Sequence, residues 1–306
     1  MKPNLLVLTP LLVETQEALA RHFEVHRLAG GNAIDFGNEV QALVTGGDIG
    51  LPADLAEKLP RLEIVCINGV GYDRVDLERA REKGYRVAIT PNVLTADVAD
   101  HAVMLVLGLT RQICRADRFV RDGDWGRGGF GLTRSIGHLK CGIFGLGRIG
   151  EAIARRLEGF GCSIAYCSRQ PKPVPYEYYT DVTELAAAVD VLIVAAAATA
   201  ETRHQVDAKV FDALGADGLL VNVARGSIVD QAALARYLQS GRLGGAALDV
   251  FEDEPLTDRD LIEAPNTLLT PHIASATFET RRAMGELVIA NLLAHFSGQP
   301  VPGAIV

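Results

Sequence analysis

The sequence predicts an α/β protein of two domains, each alternating strands and helices. Three observations predict it. The chain has 306 residues, more than one hydrophobic core usually organises. Short apolar runs of strand length recur throughout, separated by helical stretches, which is the pattern of parallel sheets covered on both faces. In the middle stands Cys141–Gly150, C-G-I-F-G-L-G-R-I-G, where an apolar run meets three glycines spaced G-x-G-x-x-G.

Leu5–Leu8 reads as the first strand and Val13–His22 as the helix after it. Val40–Val44 and Ile64–Ile67 are strands ending in Thr45-Gly46-Gly47-Asp48 and Asn68-Gly69-Val70-Gly71-Tyr72-Asp73. Open parallel sheets bind ligands at the carboxyl ends of their strands. These loops therefore suit a small-anion rim of backbone N–H groups, and simple tight turns suit them equally. Asp76–Lys83 reads as helix and Arg86–Ile89 as strand. From Thr95 one long helix is expected through Val103 and Leu109 towards Phe119, capped by Thr95 with Asp97 in its first turn, bridging the domains. Arg121–Ser135 is glycine-rich, holds the only tryptophan, Trp125, and reads as an irregular loop. Strands follow at Cys141–Phe144, Ser163–Cys167, Val191–Ala195, Gly218–Val223, Ala246–Val250 and Thr267–Leu269, with helices such as Asp230–Leu238 between them. Glu279–His295 is a last helix, expected to return to the first domain. The boundaries are 1–94, completed by 281–306, and 95–280.

A net charge of −8 argues against a nucleic-acid or anionic-membrane surface, and no apolar run is long and uncharged enough to span a bilayer. The start reads as a strand rather than a signal peptide. Five cysteines without a C-x-x-C pair or a His/Cys cluster suit reduced thiols in a cytoplasmic protein and give no reason to expect a metal. Cys66, Cys141 and Cys167 stand in strands as small core residues.

Each glycine of the central stretch has its own job in a dinucleotide-binding turn. Gly145 allows the tight turn, Gly147 lets backbone approach a pyrophosphate, and Gly150 lets the new helix pack flush on the sheet. The anion would rest on N–H groups at the helix N-terminus. Strand, turn, helix ending near Gly159–Gly161, and second strand complete the βαβ unit. An NAD-binding unit usually carries an acid at the end of that second strand. Here the chain reads Cys167-Ser168-Arg169-Gln170. Arg169 offers a charged donor fork to a 2′-phosphate, Ser168 a hydroxyl and Lys172 more charge. NADP(H) is expected, with NAD(H) as the alternative.

Three more strands end in polar residues: N-V-A-R-G at Asn222–Gly226, D-V-F-E-D-E-P at Asp249–Pro255, and T-P-H-I-A-S at Thr270–Ser275. All would emerge at the carboxyl edge of the sheet. Their chemistry is coherent for a 2-oxo acid. Arg225 can clamp its carboxylate and carbonyl with two donors. His272 can protonate the carbonyl oxygen as hydride reaches carbon, and Glu254 beside it would favour the protonated imidazole.

The motifs G-L-G-R-I-G, N-V-A-R-G-S-I-V-D, D-V-F-E-D-E-P and T-P-H-I-A-S-A-T resemble those of the D-isomer-specific 2-hydroxyacid dehydrogenase family along essentially the whole chain. The resemblance implies a Rossmann dinucleotide-binding domain, a flavodoxin-like substrate domain, an active site in the cleft and a homodimer. It implies substrate binding for Arg225, acid/base work for His272 and pairing for Glu254. Leu146, Arg148, Ile149, Thr202 and Val223 are implied to line the cofactor, Asp249 to lie near the nicotinamide and Ser275 near its carboxamide. Val70 and Gly71 match backbone donors to the substrate carboxylate, whereas Glu252 and Asp253 miss the catalytic acid position. The missing acid after the second strand is similar to the NADPH-preferring glyoxylate/hydroxypyruvate reductase branch. Two alternatives stay open: a dehydrogenase of a larger or aryl 2-hydroxy acid, because the Trp125–Leu132 loop is short, and a nucleotide-sensing corepressor.

Overall fold

The structure is a computed structural model that describes residues 2–27 and 37–306. The chain divides into two compact units, residues 1–94 with 275–306, and residues 95–274.

The first unit carries β1 (Asn4–Val7), α1 (Val13–His22), β2 (Glu24–Arg27), β3 (Val40–Thr45), α2 (Ala53–Glu57), β4 (Ile64–Ile67), α3 (Leu77–Lys83) and β5 (Arg86–Ala88). Its five parallel strands stand in the order β2-β1-β3-β4-β5, the flavodoxin-like order. Strand alternation builds two cores. Leu6, Leu43 and Val65 pack on one face, while Leu5, Val7, Val44 and Cys66 pack on the other against Val288 and Leu292 of the C-terminal helix. Buried Asn291 of that helix donates to Ile89 O at 3.1 Å and accepts from Gly303 N at 2.8 Å. The end of the chain is thereby tied to the first unit. The edge strand β2 gave no signal in the sequence, because E-V-H-R offers a single aliphatic side chain to a core.

The second unit adds α4 (Thr95–Thr110), α5 (Ile113–Arg121), β6 (Lys140–Phe144), α6 (Arg148–Glu158), β7 (Ser163–Cys167), β8 (Glu177–Tyr179), α7 (Val182–Ala187), β9 (Val191–Val194), α8 (Ala208–Leu214), β10 (Leu219–Asn222), α9 (Gln231–Gln239), β11 (Gly245–Leu248), α10 (Arg259–Ile262) and β12 (Thr267–Leu269). The C-terminal helix already met, α11, is Phe278–Phe296. Seven parallel strands run β12-β11-β10-β9-β6-β7-β8. Strand β6 stands between β9 and β7, so the glycine turn after it lies where the strand order reverses, the ligand-binding point of such sheets.

The long helix expected from Thr95 to Phe119 is two helices. Gln112 takes φ 50° and breaks it, after the Thr110 hydroxyl has turned back onto Val106 O and Leu107 O. Packing explains the break. Helix α4 has nine buried residues against α6 and the sheet, whereas α5 buries none, so apolar periodicity continues across a point where the core ends. Thr95 is the first residue inside α4 rather than its cap. Cys66, Cys141 and Cys167 are buried as expected, and burial pushes all three thiols up, Cys167 to about 11. No helix of the described residues is long and apolar enough to cross a membrane.

Candidate active site

In the turn after β6, Gly145 and Gly150 have the geometry their expected jobs require. Gly145 takes φ 98°, and a Cβ there would lie 2.4 Å from Ala196 of the neighbouring loop. At Gly150 a Cβ would lie 2.2 Å from Gly145 O, so only glycine lets α6 start against the turn. At Gly147, the N-cap of α6, a Cβ would meet nothing within 4 Å. That open side above a helix N-terminus fits a pyrophosphate resting on the turn. Leu146 is buried, Arg148 exposed and Ile149 between, so any part Leu146 has in cofactor binding falls to its backbone.

After β7, Arg169 is exposed and has no ion-pair partner within 4 Å among the described residues. Ser168 donates its hydroxyl to Gln170 O at 2.7 Å, which shapes the loop. Lys172, expected to add charge, is paired with Glu151 at 2.9 Å on the first turn of α6, so its charge is already balanced. The residues present suit a 2′-phosphate through Arg169 alone. Thr202 donates to Ala197 O at 2.9 Å and accepts from Thr199 N at 2.8 Å, so its hydroxyl organises the loop after β9. Val223 is buried at the end of β10.

Arg225, Glu254 and His272 all belong to the second unit, at the ends of β10, β11 and β12. Buried Asn222 folds the first of these loops, accepting from Ala224 N at 3.0 Å and donating to Arg225 O at 2.9 Å. Gly226 then packs on the second loop so closely that a Cβ would lie 1.8 Å from Phe251 C. Glu254 accepts from Phe251 N at 3.0 Å through Oε1 and meets His272 Nδ1 at 2.7 Å through Oε2. Burial works to raise the Glu254 carboxyl, but the His272 contact, the Phe251 N–H and the Arg225 charge together hold it below the usual carboxylate range. An ionised carboxylate only accepts, so Nδ1 carries the hydrogen and Nε2 is left to exchange a proton. His272 itself has φ 53°, with its N–H bonded to Asp249 O at 2.8 Å. Glu252 turns away onto His204, in keeping with its mismatch to the acid position.

Asp249 is buried, and burial works to raise its carboxyl. Bonds from His101, Thr270, Ile273 N and Ala274 N outweigh that and hold it below its ordinary value. These bonds were not foreseen. Neither were the structural parts of Asn222, Gly226, Thr270 and His101, of which only the glycine after Arg225 left a mark in the local sequence.

In the first unit, Val70 and Gly71 follow β4, and neither backbone N–H has an acceptor among the described residues. Gly69 O accepts from Thr90 N and the Thr90 hydroxyl, pinning the loop that bears them. Ser275, expected near the carboxamide, begins the C-terminal segment of that unit.

Residues 103–274 match the family model described as "D-isomer specific 2-hydroxyacid dehydrogenase, NAD binding domain". A glyoxylate/hydroxypyruvate reductase of Arabidopsis thaliana is 50% identical over 270 residues, covering 88% of this chain and 86% of that protein. A hydroxyphenylpyruvate reductase of Plectranthus scutellarioides is 45% identical over 309 residues, 99% of each chain. The crystal structure of an NADPH-dependent glyoxylate/hydroxypyruvate reductase from Sinorhizobium meliloti, in complex with NADP and malonate, superposes with a TM-score of 0.94 at 43% identity, covering 100% of this chain and 97% of that one. This chain belongs to the D-isomer-specific 2-hydroxyacid dehydrogenase family and is an NAD(P)-dependent oxidoreductase.

Proposed function

We propose that this enzyme reduces the small 2-oxo acids glyoxylate and hydroxypyruvate to 2-hydroxy acids with NADPH. The observation that carries the reaction type is the Glu254–His272 contact of 2.7 Å at the sheet edge where Arg225 also emerges. The similar reductases of Arabidopsis thaliana and Sinorhizobium meliloti support the substrate, and the exposed Arg169 without a neighbouring strand-end acid supports NADPH.

The bound nicotinamide supplies the hydride. Arg225 holds the substrate carboxylate and polarises the carbonyl. Glu254 keeps His272 in the tautomer whose Nε2 gives the proton to the carbonyl oxygen, and the same nitrogen takes it back in oxidation. Val70 and Gly71 are proposed as N–H donors to the carboxylate on the strength of their unengaged amides. Leu146, Arg148, Ile149, Val223 and Ser275 are proposed as cofactor contacts, and Asp249 is proposed to lie near the nicotinamide while its buried carboxylate holds the turn. The hydroxyphenylpyruvate reductase at 45% identity supports a second reading, in which larger oxo acids are accepted.

The homodimer rests on exposed apolar side chains of α5 and the following loop, where Ile113, Val120, Trp125 and Leu132 face solvent in a single chain. Five free cysteines support a cytoplasmic setting.

Initial rates with glyoxylate, hydroxypyruvate, pyruvate and phenylpyruvate, each with NADPH and NADH, test the reading. Strong NADPH-dependent turnover of the two small acids is expected. Turnover with NADH alone would overturn the cofactor assignment, and dinucleotide binding without turnover of any acid would favour a sensing role.

A further inference from the structure

His101 lies in the second turn of α4, far from the three strand ends in sequence, with a side chain only 10% exposed. Its Nε2 stands 3.1 Å from Thr270 Oγ1 and 3.2 Å from Asp249 Oδ1. The Thr270 hydroxyl gives its one proton to Asp249 Oδ1 at 2.6 Å. Toward His101 it therefore accepts, and the ionised Asp249 accepts as well. His101 Nε2 must carry a hydrogen shared between them.

Asp249 is the hub of a turn. Its Oδ1 also takes Ile273 N–H and its Oδ2 takes Ala274 N–H, both at 2.9 Å. Its backbone O takes the N–H of His272 at 2.8 Å. These bonds grip the chain on both sides of His272, a non-glycine residue at φ 53°. Such a backbone is strained and persists only where its surroundings over-determine it. The grip on Asp249 from the helix side comes from His101.

We propose that His101 is a positioning residue for proton transfer: through Asp249 and Thr270 it holds the turn that presents His272. This rests on the reading of His272 as proton donor. His101 bonds to Thr270 and Asp249 and to none of Arg225, Glu254 and His272. Without it, Asp249 keeps its backbone donors but loses the bond that fixes it to α4, and the turn gains freedom where proton transfer tolerates little. Misplacement by ~1 Å costs about a hundredfold in rate.

The test is a double-mutant cycle of His101→Leu with His272→Gln, read by kcat, KM, NADPH binding and the isotope effect from 4-deuterated NADPH. His101→Leu should lower kcat about tenfold to a hundredfold, leave NADPH binding within about twofold, and raise the isotope effect as chemistry becomes slower. His101→Gln, which keeps a donor at the same reach, should recover most of the rate. In the His272→Gln background, His101→Leu should cost nothing further. A multiplicative loss in that background, or wild-type kcat in His101→Leu, overturns the proposal. Near-normal turnover of His272→Gln alone overturns instead the reading on which it rests. If His101→Leu does not fold, Thr270→Val removes the hydroxyl between His101 and Asp249 and must show the same cycle, or the proposal fails.

Discussion

His272 Nδ1 lies 2.7 Å from Glu254 Oε2, and the other oxygen of Glu254 is occupied by the Phe251 N–H at 3.0 Å. The carboxylate is thus fixed by backbone before it fixes the imidazole. Glu254→Gln keeps the shape but removes the charged acceptor to which Nδ1 donates. Its kcat should fall about tenfold or more with NADPH binding unchanged. An unaltered kcat would argue against the pair.

Arg225 is proposed as the cation that holds the 2-oxo acid. Arg225→Lys keeps charge but loses the planar fork. Its KM for the 2-oxo acid should rise about tenfold or more, since a charge-assisted bond contributes about 1.5–3 kcal/mol. Isothermal titration should show unchanged NADPH binding. An unaltered KM would remove Arg225 from substrate recognition.

Arg169 is proposed to separate the two dinucleotides. Arg169→Ala should weaken NADPH binding about tenfold or more, in line with a lost charge-assisted contact, and leave NADH within about twofold. Fluorescence titration of both cofactors checks this, and equal losses would refute a role at the 2′-phosphate.

Gly226→Ala sets a Cβ 1.8 Å from Phe251 C, backbone against backbone with no flexible side chain to yield. The loops bearing Arg225 and Glu254 must then separate. A loss of more than about 3 kcal/mol is expected, with turnover falling even in the fraction that stays folded. Denaturant unfolding beside kcat measures both.

Asp249 and Glu254 are both held below their ordinary values in the folded chain. Each therefore contributes stability that is complete above the unfolded carboxylate range and is lost as pH falls through the lowered folded value. Asp249→Asn should be less stable at neutral pH by about 2 kcal/mol and should show a shallower fall in acid. Urea midpoints across a pH series decide it. Parallel curves for variant and wild type would contradict the linkage.

What was legible was local. Gly145 and Gly150 are constrained by their own turn, so the glycine spacing was a local signal, and buried parallel strands announce themselves as unbroken apolar runs. Strand β2 and the break at Gln112 were not legible. An edge strand needs few apolar residues, and a helix ends where its neighbours end, which its own periodicity does not record. Lys172 looked free in the sequence because its partner, Glu151, lies on the helix before β7.

The sequence by itself determined the βα alternation, the dinucleotide turn, the missing strand-end acid replaced by Arg169, and the residue types at the three strand ends. Each follows from side chains or glycines within a few positions of one another. Only the tertiary structure decided that Glu254 faces His272 while Glu252 turns to His204, that Asp249 is consumed by the turn around His272, and that His101 reaches that turn from α4. These pairings join residues far apart in the chain, brought together by the parallel sheet and by the helix packed on it. A buried carboxylate stays ionised only if folding surrounds it with donors, and no run of neighbouring residues specifies where those donors come from.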